Sequence, residues 1–259
     1  MLCFVLLAAV GGTSLPARAA GNGSTALEEA KTLLASTDHD QVEAGIQGLG
    51  LIGTAEAVVP ILERIRQGLP PDLLDTAILT LMALGQSHAA PVLFDLTSHR
   101  RPEIRIHAIE AIVAIAPKGA EDALRKALSD QDPKVRSAAA TGLGELKATG
   151  SVDVLFQALD HGNMEASTAI GKILKPGDVQ RLLGYLGKIP FRSLGPALAE
   201  VLKRKDISER DKLQIVGRLQ DVGTPEVKTY LGDFLHGAGD SISSSLSRAI
   251  LKSMQEIAN

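Results

Sequence analysis

Along most of the chain apolar residues recur at steps of three and four, broken at short intervals by a proline, a glycine or a brief polar turn. The stretch from Asp132 to Leu159 shows the unit. Val135, Ala139 and Leu143 form one stripe, a turn follows, and Val154, Leu155 and Leu159 begin a second. Stripes at that spacing face one side of a helix, so the stretch predicts a helical hairpin.

The hairpin recurs with a period of 31 residues. Counting back from Val135 gives Ile104, Leu73 and Val42; from Ala139, Ala108, Ala77 and Ile46; from Leu155, Leu124, Leu93 and Leu62. Pro133, Pro102 and Pro71 keep the same register, with Asp40 in the corresponding place of the first unit. A proline in the first helical turn loses no hydrogen bond and pre-sets φ, so each marks a helix start. One hairpin cannot bury both of its stripes, and stacked units complete the core.

Four full units therefore cover about 38–68, 69–99, 100–130 and 131–161. Ahead of them Ser24 is expected to cap a helix from Thr25 to Ala35. Residues 162–259 continue as degenerate units. Helices are expected at 164–174, from Pro176 to about Gly187, and at 194–205; a hairpin of 209–219 and 227–235 follows, with a closing helix at 241–257. The fold class is all-α: a solenoid of about six hairpins with terminal capping helices.

Composition narrows the function classes. The chain is 45% hydrophobic but only 3% aromatic, a mixture suited to closely packed helices of small aliphatic residues. A net charge of −3 and the absence of Trp speak against a nucleic-acid groove. The single cysteine, Cys3, lies in an apolar run, Leu2–Val10, that is too short to span a bilayer. Ala17-Arg18-Ala19 follows with the small residues a signal peptidase needs, although a basic leading region is lacking. Residues 1–19 are read as a secretory signal and 20–259 as the mature solenoid, exported to a periplasmic or secreted destination.

With Asp132-Pro133-Lys134-Val135-Arg136 and the later Ala139 and Leu143-Gly144 in view, the chain resembles the HEAT repeat family, most specifically over residues 100–160. The resemblance implies a right-handed solenoid with second helices lining the concave side. It also implies an inter-unit ladder of Asp and Arg, which Asp132, Arg136 and Arg105 match and from which Glu43 and Leu74 depart, so that it is broken early. Relatives of the deoxyhypusine hydroxylase type hold iron through His-Glu pairs, and this chain has no His-Glu dipeptide. The phycobilin lyase-type proteins, which assist pigment attachment, are the nearest enzymatic relatives and leave no short motif to test.

The remaining chemistry is sparse. The six histidines show no metal-ligand spacing and are read as solvated or capping, with His39 and Asp40, being adjacent, pointing apart. Gly142 and Gly144 lie within a helix and are read as close-packing positions, not a phosphate loop. His99, Arg100, Arg101 and Arg105 make a basic turn, with Glu103, Asp130 and Asp132 close in the stack, that is read as a solvated turn in preference to an anion site. No cofactor or metal is expected.

The candidate binding residues are two columns on the second helices. One runs Arg64, Asp95, Lys126 and Gln157; beside it runs Glu63, Phe94, Arg125 and Phe156. The two phenylalanines either tuck into inter-unit grooves as core or, alternating with charges, give apolar anchors rimmed by polar groups. The leading expectation is a non-enzymatic scaffold binding a protein or peptide there. An accessory of cofactor or pigment attachment, or a structural spacer in an envelope assembly, are the alternatives.

Overall fold

The computed structural model describes residues 23–257, and the expected secretory signal lies outside the described residues. Fifteen α-helices follow one another: α1 Gly23–Leu34, α2 His39–Ile52, α3 Val58–Gln67, α4 Pro71–Leu84, α5 Ala90–Leu96, α6 Pro102–Ile115, α7 Ala120–Ala127 and α8 Pro133–Glu145. Then come α9 Val152–Asp160, α10 Glu165–Ile173, α11 Val179–Leu183, α12 Phe191–Lys203, α13 Glu209–Val222, α14 Pro225–Ala238 and α15 Ser244–Glu256.

The helix starts follow the sequence. Pro71, Pro102 and Pro133 are the first residues of α4, α6 and α8. Where the first unit lacks proline, the Asp38 carboxylate accepts from the Gln41 N–H and starts α2. Ser24 is not a cap, because α1 already begins at Gly23.

The even-numbered helices α2 to α14 form one row, each packed on the next, and the odd-numbered helices form the second layer. All twelve residues of the three periodic columns are buried, none more than 5% exposed, the value at Leu62. Close approach within the first-helix row depends on glycine. A Cβ at Gly142 would lie 2.6 Å from the Val113 side chain, and one at Gly144 would lie 3.0 Å from the Ala169 Cα. Both glycines pack helix on helix, as the sequence indicates.

The degenerate half differs in its bounds and pairing. The helix expected from Pro176 to about Gly187 ends at Leu183, after a 3-10 turn at Pro176–Asp178. Residues 209–235 do not form one hairpin. α12 lies in the first row between α10 and α14, whereas α13 lies in the second between α11 and α15. α13 thus closes the unit begun by α12, and α14 opens the last unit, closed by α15. Alternation of layers, not proximity of two helices in sequence, sets the unit boundary.

The register makes a simple prediction. Leu124 is fully buried in α7 while Lys126, two residues on, is exposed. Leu124→Ala should cost about 2–5 kcal/mol through lost burial and the cavity left, and Lys126→Ala less than about 0.5 kcal/mol. Chemical denaturation of the two variants checks it, and equal losses would contradict the register.

Candidate functional site

The two candidate columns sit one residue apart on the second helices, about 100° around the helix axis. That rotation separates their fates. In the first column Asp95, Lys126 and Gln157 are exposed, one on each of α5, α7 and α9. Arg64 is half-buried, its Nε donating to the Leu34 carbonyl at 3.2 Å and its Nη1 to that of Gly68 at 2.9 Å. Its guanidinium ties α3 to the end of α1.

Phe94, Arg125 and Phe156 of the second column point into the junction with the next unit, where each meets the position 25 later. The Phe94 ring lies 3.6 Å from where a Cβ on Gly119 would stand. Arg125 donates from Nε to the Ser151 hydroxyl at 2.7 Å and from Nη2 to the Gly150 carbonyl. Phe156 lies under Arg181, whose guanidinium is 3.9 Å from the ring centroid. Only Glu63, in the first unit, is exposed in this column.

Phe156 is therefore core and not a surface anchor, which decides between the two sequence readings and removes it from the candidate binding residues. It is 0% exposed, stacked on Tyr185 at 5.7 Å and covered by Arg181. Asp153 holds that arginine at 2.6 Å, and Asp160 accepts from the Tyr185 hydroxyl at 2.7 Å. Burial, and then this hydrogen bond, push the Tyr185 phenol up to about 12. Phe94 is half-buried against the core of the N-terminal units. The expected alternation of apolar anchors with charges is absent from the accessible surface at Phe156.

Three clefts do open on this face, at successive or equivalent inter-unit junctions. They lie between α1 and α3, between α5 and α7, and between α7 and α9, with volumes of about 370, 380 and 350 Å³. Sequence reasoning singled out the basic turn of the second cleft but read it as solvated, and missed the third, although a signal existed: Arg105 and Arg136, and Ser98 and Ser129, are each 31 apart. The first-helix face carries its own cleft between α6 and α8, beside Glu110 and Thr141.

Arg105 also departs from its expected role. It is 4% exposed, not solvated, and its Nη2 meets Asp130 at 2.7 Å. The ladder acid is thus Asp130 and not Asp132, whose carboxylate accepts from the Lys134 N–H and caps α8. Burial alone would push the Asp130 carboxyl up. The Arg105 hydrogen bond, with the Asp132 N–H, outweighs it and holds the group below its ordinary value.

Two histidines are likewise engaged. His39 lies 3.4 Å from Asp40 and 2.5 Å from Asp72, so adjacency does not keep the first pair apart. His107 meets Asp75 at 2.8 Å. Hydrogen bonding to Asp72, then to Asp40, raises the His39 pKa. Among the described residues no group of three or more His, Cys, Asp or Glu side chains is placed to hold a metal ion.

Residues 90–170 and 121–203 match the family model for HEAT repeats. No curated protein matches the chain in sequence. Among solved structures, the complex of CpcE and CpcF of phycocyanin lyase from Nostoc sp. PCC7120 is 18% identical, with TM-score 0.49, over 96% of this chain and all of that one. A homology model of the full-length AP-3 complex in an intermediate open conformation is 15% identical, with TM-score 0.57; 90% of this chain matches and spans about half, 51%, of that one. An engineered protein is 17% identical, with TM-score 0.38, over 88% of this chain and 96% of its own. The likeness to the AP-3 chain shows a shared fold.

Proposed function

Because residues 90–203 are HEAT repeats, we propose that the chain is an exported, non-enzymatic scaffold that holds a protein or peptide on the face of its second helices. The observation that carries this reading is the row of unlike exposed side chains, Asp95, Lys126 and Gln157, presented once per unit beside open inter-unit clefts. Regular spacing on a rigid stack suits recognition of an elongated partner, since successive contacts add without reordering the scaffold.

Photo-cross-linking groups placed at Asp95 and Lys126 should capture a defined partner in the source cell. Groups at Glu110 and Thr141, exposed on the first-helix face, should not. Cross-links confined to positions 110 and 141 would reject the second-helix face.

Export rests on the Leu2–Val10 run and Ala17-Arg18-Ala19. The mature protein should begin at Ala20, and an intact mass that retains Met1 to Ala19 would remove this part of the reading.

A further inference from the structure

The clefts on either side of α7 are equivalent places one unit apart. Ser98, Arg105 and Lys126 line the first; Ser129, Arg136 and Gln157 line the second. Their charge is unlike that of the chain as a whole. The α5–α7 cleft presents Arg100, Arg105 and Lys126 against one carboxylate, Asp130, which is already held by Arg105 at 2.7 Å and by the Asp132 N–H at 2.8 Å. The His99 Nδ1 accepts from the Arg101 N–H at 3.2 Å.

The α7–α9 cleft is lined by Arg125 and Arg136 and by no carboxylate. Glu121 reaches Arg125 at 3.3 Å from outside the lining. Arg136 spends Nη1 on the neutral carbonyls of Asp130 and Gln131, at 2.9 and 3.1 Å, which leaves its charge uncompensated by a direct ion pair among the described residues. By contrast, the α1–α3 cleft balances Lys31 and Arg64 with Glu56 and Glu63. The α9–α11 junction is closed by Arg181 over Phe156. Two adjacent cationic clefts thus stand between a neutral one and a filled one.

Resting on the reading of the second-helix face as a partner surface, we propose that these two clefts recognise an acidic peptide segment whose carboxylates recur every third residue. Units stack through the packed first helices α6, α8 and α10, spaced about 8–10 Å apart, so equivalent clefts one unit apart are separated by about that distance. A polyproline-II strand has three residues per turn and rises about 3.1 Å per residue, placing every third side chain on one side about 9 Å apart. Each carboxylate then enters one cleft while the neutral residues cross the ridge of α7. The ridge explains why the occupant is a peptide and not a nucleic acid. Asp95 and Asp122 stand exposed on the helices without lining either cleft, which interrupts the continuous basic track a phosphate backbone needs.

The test uses the full chain and a labelled peptide of repeated Glu-Pro-Pro, read by fluorescence anisotropy at low and physiological salt. Binding should weaken with salt, as expected for partly exposed charges. Lys126→Gln and Arg136→Gln should each weaken it about fivefold and together by roughly the product of the two. Lys31→Gln, in the balanced cleft, should change it less than about twofold. Arg136 also holds turn carbonyls, so the exposed Lys126 variant carries the result if Arg136→Gln melts early. Equal binding of the Gln-Pro-Pro peptide, or of a peptide with glutamate at every second position, would overturn the proposal. So would binding of inorganic polyphosphate without binding of the peptide. No peptide binding with cross-links from positions 95 and 126 intact would remove the acidic ligand alone; loss of both would remove the partner face with it.

Discussion

Phe156→Ala should destabilise the protein by about 3–5 kcal/mol, the range for truncating a fully buried phenylalanine. The ring is 0% exposed, and its loss removes more than its own contacts. Arg181 and Tyr185 lie on it, and through them Asp153 and Asp160 are drawn to the junction between α9 and α11. Phe94→Ala, at the half-buried member of the same column, should cost visibly less. Urea unfolding of the two variants measures the difference. Equal small losses would mean that both rings are peripheral and would restore Phe156 as a surface candidate.

Arg105→Met should cost about 3 kcal/mol. Removing one partner of a buried ion pair leaves the other charge uncompensated, typically at about 3–5 kcal/mol, because desolvation is no longer offset by attraction. The lower end applies here since the Asp130 side chain keeps 14% exposure. Arg105 also donates to the His99 and Arg100 carbonyls at 2.8 and 3.4 Å, so the turn before α6 should loosen with it. A double-mutant cycle with Asp130→Asn isolates the pair and should give a coupling of about 0.5–3 kcal/mol.

The pH dependence has a definite sign. The Asp130 carboxyl is depressed in the folded state relative to an ordinary value of 3.8. Its contribution is complete above the unfolded-state pKa and is lost as pH falls through the lower folded-state one. The wild-type advantage over Arg105→Met should therefore shrink below about pH 4. A difference that stayed constant into strong acid would show that Arg105 acts through packing and carbonyl contacts instead.

These two residues mark where the sequence was and was not legible. Phe156 belongs to a column that a period count places on one helix face, next to a column whose members in α5, α7 and α9 are exposed. The count could not say whether that face met solvent or the next unit, because the covering group, Arg181, comes from α11, beyond the regular repeats. Arg105 stood in a basic turn that looked solvated. Its partner Asp130 is 25 residues away, and Asp132, equally acidic and two residues on, is consumed by the cap of α8. The paired clefts flanking α7 were written in the recurrence of Arg105 and Arg136, but their positive balance depended on which acids were already engaged.

By itself the sequence determined the all-α stack, the period, the helix starts at Pro71, Pro102 and Pro133, and the burial of Val42, Leu93, Leu124 and their columns. Those follow from local rules: a proline acts on its own φ, and an apolar stripe need only face inward, whatever it meets there. The tertiary structure alone decided that Phe156 is covered, that Asp130 and not Asp132 pairs with Arg105, and that α13 closes the unit begun by α12. Each of these is a choice among several partners within reach of one side chain or helix. Such choices turn on distances between units, which a repeat length constrains only where the repeat is kept, and beyond Pro190 it is not.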